Sequence, residues 1–183
     1  MNEPRWARIG MVARWHPVHL GHTPVLKALC EQAQTALIGI GSADSHDLRN
    51  PFSLSERTSM ITTVLAPFAN YRLLAIPDLP SDDDWISHIR ASFGILDLFL
   101  TDNPYVATLL QPYYKVARPV TLLPPDVRVP LDATMVRLSM ARGEDWQSMV
   151  PPEVADYLER EQLVTRFRNE FGLQTLAQHW MVL

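Results

Sequence analysis

The sequence predicts an α/β protein whose core is one doubly wound parallel sheet of five strands, with helices on both faces. Short apolar runs alternate along the chain with segments whose apolar residues recur at helical spacing, which is the pattern of βαβ units. The runs are almost continuously apolar, as is typical of strands buried on both faces of a parallel sheet. The 183 residues, 47% of them hydrophobic and 20% charged, suffice for one domain with a sizeable core.

The five strand candidates share a short apolar run bounded by small or polar residues. In chain order they are ARIGMVA (7–13), TALIGIGSA (35–43), YRLLAIPD (71–78), ILDLFLTD (95–102) and KVARPVTLL (115–123). The last segment is longer than an average strand and is expected to contain one.

Helix candidates alternate with these strands and carry start and stop signals. Thr23 is a candidate cap for the first helix, with Pro24 in its first turn. Ser53 and Glu56 have the spacing of a capping box, and Gly143 is placed to end a helix. The segments with helical patterns are 23–33, 50–68 after an initial turn, 82–93, 103–113, 134–146 and the charged stretch from 151 onward.

The composition argues against several classes of protein. A net charge of −4 and a pI near 5.8 do not favour general binding to nucleic acid, so bound phosphate would need locally placed arginines. The single cysteine, Cys30, fits a reducing compartment rather than a disulfide framework. No apolar run is long enough to span a bilayer, and residues 1–10 lack the apolar core of a secretory signal. We therefore expect a cytoplasmic protein without membrane or nucleic-acid partners.

The chain shows no internal repeat, low-complexity tract or obvious linker. We expect residues 1–150 to form the main domain and residues 151–183 to form a helical C-terminal extension packed on it. A Rossmann-like sheet of this kind binds its ligands beyond the carboxyl ends of its strands. Polar segments follow the first four strands, so we expect them to converge on one crevice.

The first of these segments, WHPVHLGH at residues 15–22, contains three histidines. Imidazole is a common zinc ligand, but no carboxylate or cysteine lies nearby to complete a familiar ligand pattern. A polar surface turn is the ordinary alternative for any one of the three. The segment joins a buried strand to a helix start, however, where backbone N–H groups and the helix dipole favour anions. Phosphate binding is therefore the favoured interpretation.

HLGH, at residues 19–22, resembles the HxGH signature of the nucleotidyltransferase superfamily. The wider match is to archaeal-type nicotinamide mononucleotide (NMN) adenylyltransferases, and it covers residues 8–160. Six blocks occur in the order expected for that family: ARWHPVHLGH, IGIGSADSHDLRNPFSLSER, PDLPSDDDWISH, TDNPYV, DATMVR and GEDWQSMVP.

The resemblance implies transfer of AMP from ATP to the 5′-phosphate of NMN, which gives NAD and pyrophosphate without a covalent enzyme intermediate. His19 and His22 match histidines that contact the ATP phosphates, and Arg49 matches an arginine at the transferring phosphate. Arg137 matches an arginine that binds the β- and γ-phosphates. These four are the implied catalytic residues. The other implied ATP contacts are Arg14, His16, Gly21, Asn103 and Thr134.

On the NMN side, Trp85 matches a tryptophan that stacks on the nicotinamide ring, with a core position on an amphipathic helix as the alternative. Asp78, Asn50 and Phe52 are the other implied NMN contacts. Magnesium would arrive on the ATP phosphates rather than in a protein cage, and the acidic run 82–84 is interpreted as a solvated helix start. Relatives often assemble, so the C-terminal extension is a candidate interface for a homo-oligomer.

Several positions depart from the family pattern. Asp132 and Ala133 replace a serine and a glycine, so a carboxylate that can cap a helix lies near the expected γ-phosphate. His16 replaces a glutamine and adds a titratable donor, and Ala13 and Trp15 also depart. These changes keep two alternatives open. One is a related enzyme that uses nicotinate mononucleotide, phosphopantetheine or a cytidylyl-transfer substrate, and the other is a non-catalytic nucleotide-binding regulatory module.

Overall fold

A computed structural model describes residues 4–180 of the chain, with side chains as far as Gln178. All strands are parallel and form one sheet in the order β3-β2-β1-β4-β5. Helices alternate with the strands along the chain, so the predicted Rossmann-like α/β fold is confirmed. The strands are β1 (Trp6–Ala13), β2 (Ala33–Gly41), β3 (Tyr71–Ile76), β4 (Leu98–Leu100) and β5 (Val116–Ala117).

Two strands differ from what the sequence predicts: β3 is less buried and β5 is shorter. Most of β2 and all of β4 are buried, whereas β3 is largely half-exposed because it lies at an edge of the sheet. β5 covers only two of the residues in the segment 115–123. Pro119 begins a 3₁₀ turn, Pro119–Leu122, and proline has no N–H with which to continue the strand ladder.

The helices follow the sequence signals closely. The Ser53 side chain accepts the N–H of Glu56 while Glu56 Oε2 accepts the N–H of Ser53 at 2.8 Å, so the predicted capping box is present. Gly143 ends its helix with a left-handed φ of 73°, as predicted. A π-helical stretch, Arg168–Gly172, separates the last two helices. The α-helices are α1 (Thr23–Gln32), α2 (Leu54–Val64), α3 (Asp82–Phe93), α4 (Pro104–Leu110), α5 (Ala133–Arg142), α6 (Pro152–Arg160), α7 (Leu163–Phe167) and α8 (Leu173–Trp180).

The residue contacts divide the chain into two compact units. The first unit contains the sheet and consists of residues 1–14, 24–44 and 67–128. The second consists of residues 15–23, 45–66 and 129–183, so helix α2 groups with the helices that follow residue 129. The expected division into 1–150 and 151–183 follows chain order and stays a prediction.

The first unit has its core against the sheet. Buried side chains from three strands and two helices form one apolar cluster: Leu37, Ile76, Ile89, Phe93, Phe99 and Leu110. The chain runs outward from β1 to β2 and β3 and then crosses to β4 on the other side of β1. This reversal is a topological switch point, and the carboxyl ends of β1 and β4 flank it. In residues 4–180, no helix combines the length and the hydrophobicity that crossing a membrane requires.

Candidate active site

The histidine segment, residues 15–22, follows β1 and folds into a compact turn before α1. The imidazoles of His19 and His22 stack with their ring centroids 3.6 Å apart. The indole of Trp15 meets His22 edge-on, with 4.7 Å between the ring centroids. The N–H groups of His22 and Thr23 both donate to the carbonyl of His19, at 2.8 and 3.1 Å. Helix α1 therefore begins directly from the histidine turn.

The protonation state of the histidine pair follows from its surroundings. The N–H of Gly21 donates to Nδ1 of His19 at 3.1 Å, so a neutral His19 carries its proton on Nε2. Burial lowers the pKa of His19 to about 4, although Asp132 raises it and Arg137 lowers it further. Burial also holds the pKa of His22 well below its usual value, His19 lowers it again, and the Pro17 carbonyl raises it. Both imidazoles are therefore uncharged hydrogen-bonding groups at neutral pH.

Gly21 is required for the packing of this turn. A Cβ at Gly21 would lie 2.8 Å from the carbonyl oxygen of Leu131 and 3.0 Å from the ring of His19. The first contact is shorter than real Cβ atoms show and is with a backbone atom, and the second is tight. The structure thus gives a packing reason for this glycine, while its expected contact with ATP stays a prediction.

His16 links the histidine segment to two other parts of the second unit. Its ring is 1% exposed, its Nδ1 accepts the N–H of Phe52 at 3.4 Å, and it stacks on Phe52 with 6.1 Å between centroids. Its backbone carbonyl accepts from Nη1 of Arg137 at 2.7 Å. Phe52 is itself fully buried between His16 and Phe167. The expected roles of His16 toward ATP and of Phe52 toward NMN stay predictions, but both rings already serve the packing here.

Helix α5 presents its first turn beside the histidines. Asp132 caps it, because its Oδ1 accepts the N–H groups of Thr134 and Met135 at 2.7 and 3.0 Å. The backbone N–H of Thr134 is therefore already held by a carboxylate, and the expected contact of Thr134 with ATP stays a prediction. One turn later, half-buried Arg137 donates from Nη2 to Oγ1 of Thr134 at 3.4 Å as well as to His16. The predicted phosphate-binding arginine is thus fixed at the base of the histidine segment.

Arg49 lies on a second loop, residues 46–53, which we call the arginine loop. Asp47 organises the turn: its Oδ1 accepts the N–H of Arg49 at 2.7 Å and that of Asn50 at 2.9 Å. The side-chain amide of Asn50 also donates to both Asp47 oxygens. Arg49 is exposed, and within residues 4–180 its guanidinium has no hydrogen bond or ion pair. A charged guanidinium whose N–H donors are available, on a turn that hydrogen bonds hold in place, is suited to bind an anion.

Sequence reasoning missed the residues that support this loop. Arg166 donates to the Glu56 carboxylate with both terminal nitrogens, at 2.5 and 2.8 Å, and to the carbonyl of Pro51 at 3.0 Å. Glu56 was recognised only as a helix cap, and the partner lies 110 residues further along the chain, beyond the family resemblance. No local pattern could have paired them.

The remaining predicted contacts lie in the first unit. Arg14 is exposed at the end of β1, and exposed Asp78 follows β3, where its Oδ1 accepts from Ser42 Oγ at 3.2 Å. Asn103 caps α4 by accepting the N–H of Tyr105. Trp85 is half-buried and packs against the apolar cluster of the sheet, so it is partly the core residue of the alternative interpretation and keeps part of its surface exposed. Their ligand contacts stay predictions.

The acidic run 82–84 is exposed in the first turn of α3, where carboxylates favour the helix dipole. Within the part of the chain that the structure describes, no group of three or more histidine, cysteine, aspartate or glutamate side chains could hold a metal ion.

Comparison with known proteins agrees with this geometry. The Cytidylyltransferase-like family model matches residues 12–91. A solved structure, the bifunctional NMN adenylyltransferase/ADP ribose pyrophosphatase of Francisella tularensis with AMP and a manganese ion, has a TM-score of 0.71 at 16% identity. The match covers 90% of this chain but only 52% of that one, and at this identity it shows the fold alone.

The parallel sheet with its switch point and the HLGH turn after β1 agree with the nucleotidyltransferase class, to which the named relatives of this chain belong. The nicotinamide-nucleotide adenylyltransferase of Halobacterium salinarum is 35% identical over 161 residues, which cover 86% of this chain and 89% of that protein. The enzymes of that name from Methanocorpusculum labreanum and Thermococcus sibiricus are 37% and 34% identical over 78% and 90% of this chain, and over 84% and 94% of their own lengths. The chain belongs to the nicotinamide-nucleotide adenylyltransferase family.

Proposed function

We propose that this protein transfers AMP from ATP to the 5′-phosphate of NMN and forms NAD and pyrophosphate. An oxygen of the NMN phosphate bonds to the α-phosphorus of ATP as the bond from that phosphorus to the bridging oxygen of the β-phosphate breaks. Pyrophosphate carries away the electron pair. Membership of the adenylyltransferase family supports the reaction and its substrates.

The observation that carries this proposal is the stacked pair of uncharged histidines at the start of α1. With Nδ1 of His19 engaged by Gly21, the Nε2–H is the donor left for a ligand. A neutral, buried N–H donor gains hydrogen-bond strength as negative charge grows on the phosphate oxygens of the transition state. His19, with the ring of His22 stacked on it, would therefore stabilise the transfer as an uncharged donor.

Arg137 and Arg49 supply the fixed positive charge. Hydrogen bonds to the His16 carbonyl and to Thr134 Oγ1 fix the position of Arg137. Its guanidinium would bind the β- and γ-phosphates and then the departing pyrophosphate. Arg49, exposed on its pinned turn, would neutralise charge at the transferring phosphate. Arg14, His16, Gly21, Thr134 and Asn103 are the further proposed ATP contacts.

On the acceptor side, the exposed part of Trp85 would stack on the nicotinamide ring, and Asp78, Asn50 and Phe52 would complete the NMN contacts. Magnesium, arriving on ATP, would shield the triphosphate charge and polarise the phosphoryl oxygens. We propose the cytoplasm, where both substrates are made available by metabolism, as the place of action, and a homo-oligomer through the C-terminal helices as the assembly.

The test is a panel of acceptors given separately to the purified protein with Mg²⁺ and ATP: NMN, nicotinate mononucleotide and phosphopantetheine. A parallel reaction replaces ATP with CTP and supplies a cytidylyl acceptor. NMN is expected to give NAD and stoichiometric pyrophosphate. Turnover of another acceptor with none of NMN would overturn the assigned substrate. Tight ATP binding without product from any acceptor would favour the regulatory module instead.

A further inference from the structure

Asp47 fixes the turn that carries Arg49 from within the loop, whereas the loop exit is held by other segments, one of them at His16, whose Nδ1 accepts the N–H of Phe52. Asp47 accepts the N–H groups of Arg49 and Asn50, which sets the backbone up to Asn50. Beyond Asn50 the loop enters Pro51, which has no N–H to contribute, and then reaches the start of α2 at Ser53. Whatever fixes the exit of the loop therefore helps to fix where Arg49 lies.

Arg166 of helix α7 makes that connection at two points. Its Nη2 donates to the carbonyl of Pro51 at 3.0 Å and to Oε2 of Glu56 at 2.8 Å, while its Nη1 donates to Oε1 of Glu56 at 2.5 Å. Oε2 of Glu56 also accepts the N–H of Ser53. A single guanidinium thus joins the loop exit and the helix cap in one hydrogen-bonded unit.

This ion pair differs from the surface pairs of the molecule. The Arg166 and Glu56 side chains are 33% and 15% exposed, against 66% and 48% for Arg160 and Glu161. Burial alone would raise the pKa of the Glu56 carboxyl, but hydrogen bonds from Arg166 and Ser53 hold it below its usual value. A bidentate, partly buried ion pair of this kind fixes the relative positions of its two side chains more firmly than an exposed pair does.

Other residues of the same C-terminal segment line the arginine loop. We call residues 163–172, which comprise α7 and the π-helical stretch, the C-terminal brace. Phe167 packs on Phe52 with 6.3 Å between ring centroids, and Phe171 meets His46 edge-on at 5.3 Å. Oε2 of Glu170 lies 3.1 Å from Nε2 of His46. The brace therefore contacts the loop on both sides of Arg49.

We propose that Arg166 is a positioning residue for the transfer reaction: by tying Pro51 and Glu56 to the C-terminal brace, it holds Arg49 where the transferring phosphate is stabilised. The inference rests on the proposed function, because it needs Arg49 to act on the reacting phosphate. Arg166 itself touches no substrate in this account. The brace is thereby part of the catalytic architecture although it lies outside the family motifs.

The test is a double-mutant cycle between Arg49→Ala and Arg166→Gln, with kcat and the KM for each substrate measured at neutral pH. Arg166→Gln alone should lower kcat by about 10- to 100-fold, the usual result of a misplaced catalytic group, with little change in KM. The double variant should be no slower than Arg49→Ala, because Arg166 acts through Arg49. Arg166→Lys should recover part of kcat, since it keeps the charge but not the fork.

Arg160→Gln is the matched control, because it removes an arginine from an exposed ion pair nearby in the chain and should leave kcat unchanged. Losses that multiply in the double variant would overturn the positioning role, provided that Arg49→Ala is itself slow. A normal kcat in Arg49→Ala would instead overturn the role of Arg49 in the proposed function, and the inference with it. If Arg166→Gln does not fold, Glu56→Gln, which retains an oxygen for the Ser53 N–H, takes its place in the cycle.

Discussion

The histidine segment and the arginine loop are held in place in different ways. The contacts that arrange His19 and His22 against each other join residues close in sequence, such as Gly21 with His19 and Trp15 with His22, although His16 and Gly21 also pack against distant segments. The arginine loop depends on Arg166, which lies 110 residues beyond Glu56. The first region presents buried, uncharged donors, and the second presents an exposed charge. A local motif can therefore specify the donors, whereas the placement of the charge requires the whole chain.

Among the substitutions that test the difference between the two regions, His22→Ala is expected to have the largest effect on turnover. The variant loses a half-buried imidazole that stacks on His19, so it should lower kcat by about 100- to 1,000-fold, as removal of a transition-state donor does. The dissociation constant for NMN should change far less. Steady-state kinetics and equilibrium NMN binding measure the two quantities. His88→Ala, on helix α3, is the control that should change neither, and equal losses of turnover and NMN binding would contradict the role of His22.

The burial of the histidines also predicts how stability depends on pH. The pKa of His19 is about 4 in the folded protein, against 6.5 for an ordinary histidine, so the unfolded chain binds a proton more readily. Stability should therefore fall as the pH drops from 6.5 toward 4, by about 1.4 kcal/mol for each pH unit from this group. Urea unfolding of the wild type and of His19→Gln at several pH values isolates the contribution. Parallel pH profiles for the two proteins would show that His19 titrates normally.

A smaller effect is expected for Asp132→Ser. Serine keeps the helix cap but removes the charge that now holds the amides of Thr134 and Met135. Since a single charge at a helix start is worth about 0.3–1 kcal/mol, the KM for ATP should fall about two- to fivefold with kcat nearly unchanged. Asp126→Ser, an exposed aspartate in the first unit, serves as the control. A raised KM for ATP would mean that the carboxylate assists nucleotide binding.

The parts of the fold that could be predicted are those encoded locally. The capping box of Ser53 and Glu56, the stop at Gly143 and helix α3 depend on residues within one or two turns of each other, and all are present as predicted. The length of β5 was overestimated because hydrophobicity continues through 115–123 while Pro119 ends the hydrogen-bonding pattern. The strand order, with β4 beside β1, depends on pairing between segments distant in the chain. The sequence of one segment does not indicate which other segment it pairs with.

The candidate site divides in the same way. The motif predicted His19 and His22 as neighbours, and their rings do stack. It did not reveal that Gly21 is needed to clear the Leu131 carbonyl, because that contact joins segments 110 positions apart. It also did not reveal that His16 is 1% exposed and that its ring stacks on Phe52. Burial of a polar group is set by tertiary packing, which a motif does not encode.

We propose that the two regions position and stabilise a direct transfer, with the histidines as donors rather than nucleophiles. An uncharged imidazole could in principle attack phosphorus, so the roles must be separated by stereochemistry. The measurement is the configuration at the α-phosphorus when the enzyme uses ATP made chiral there by sulfur substitution. Inversion is expected, because the NMN phosphate displaces pyrophosphate in one step. Retention would require a covalent histidine–AMP intermediate and would contradict the account.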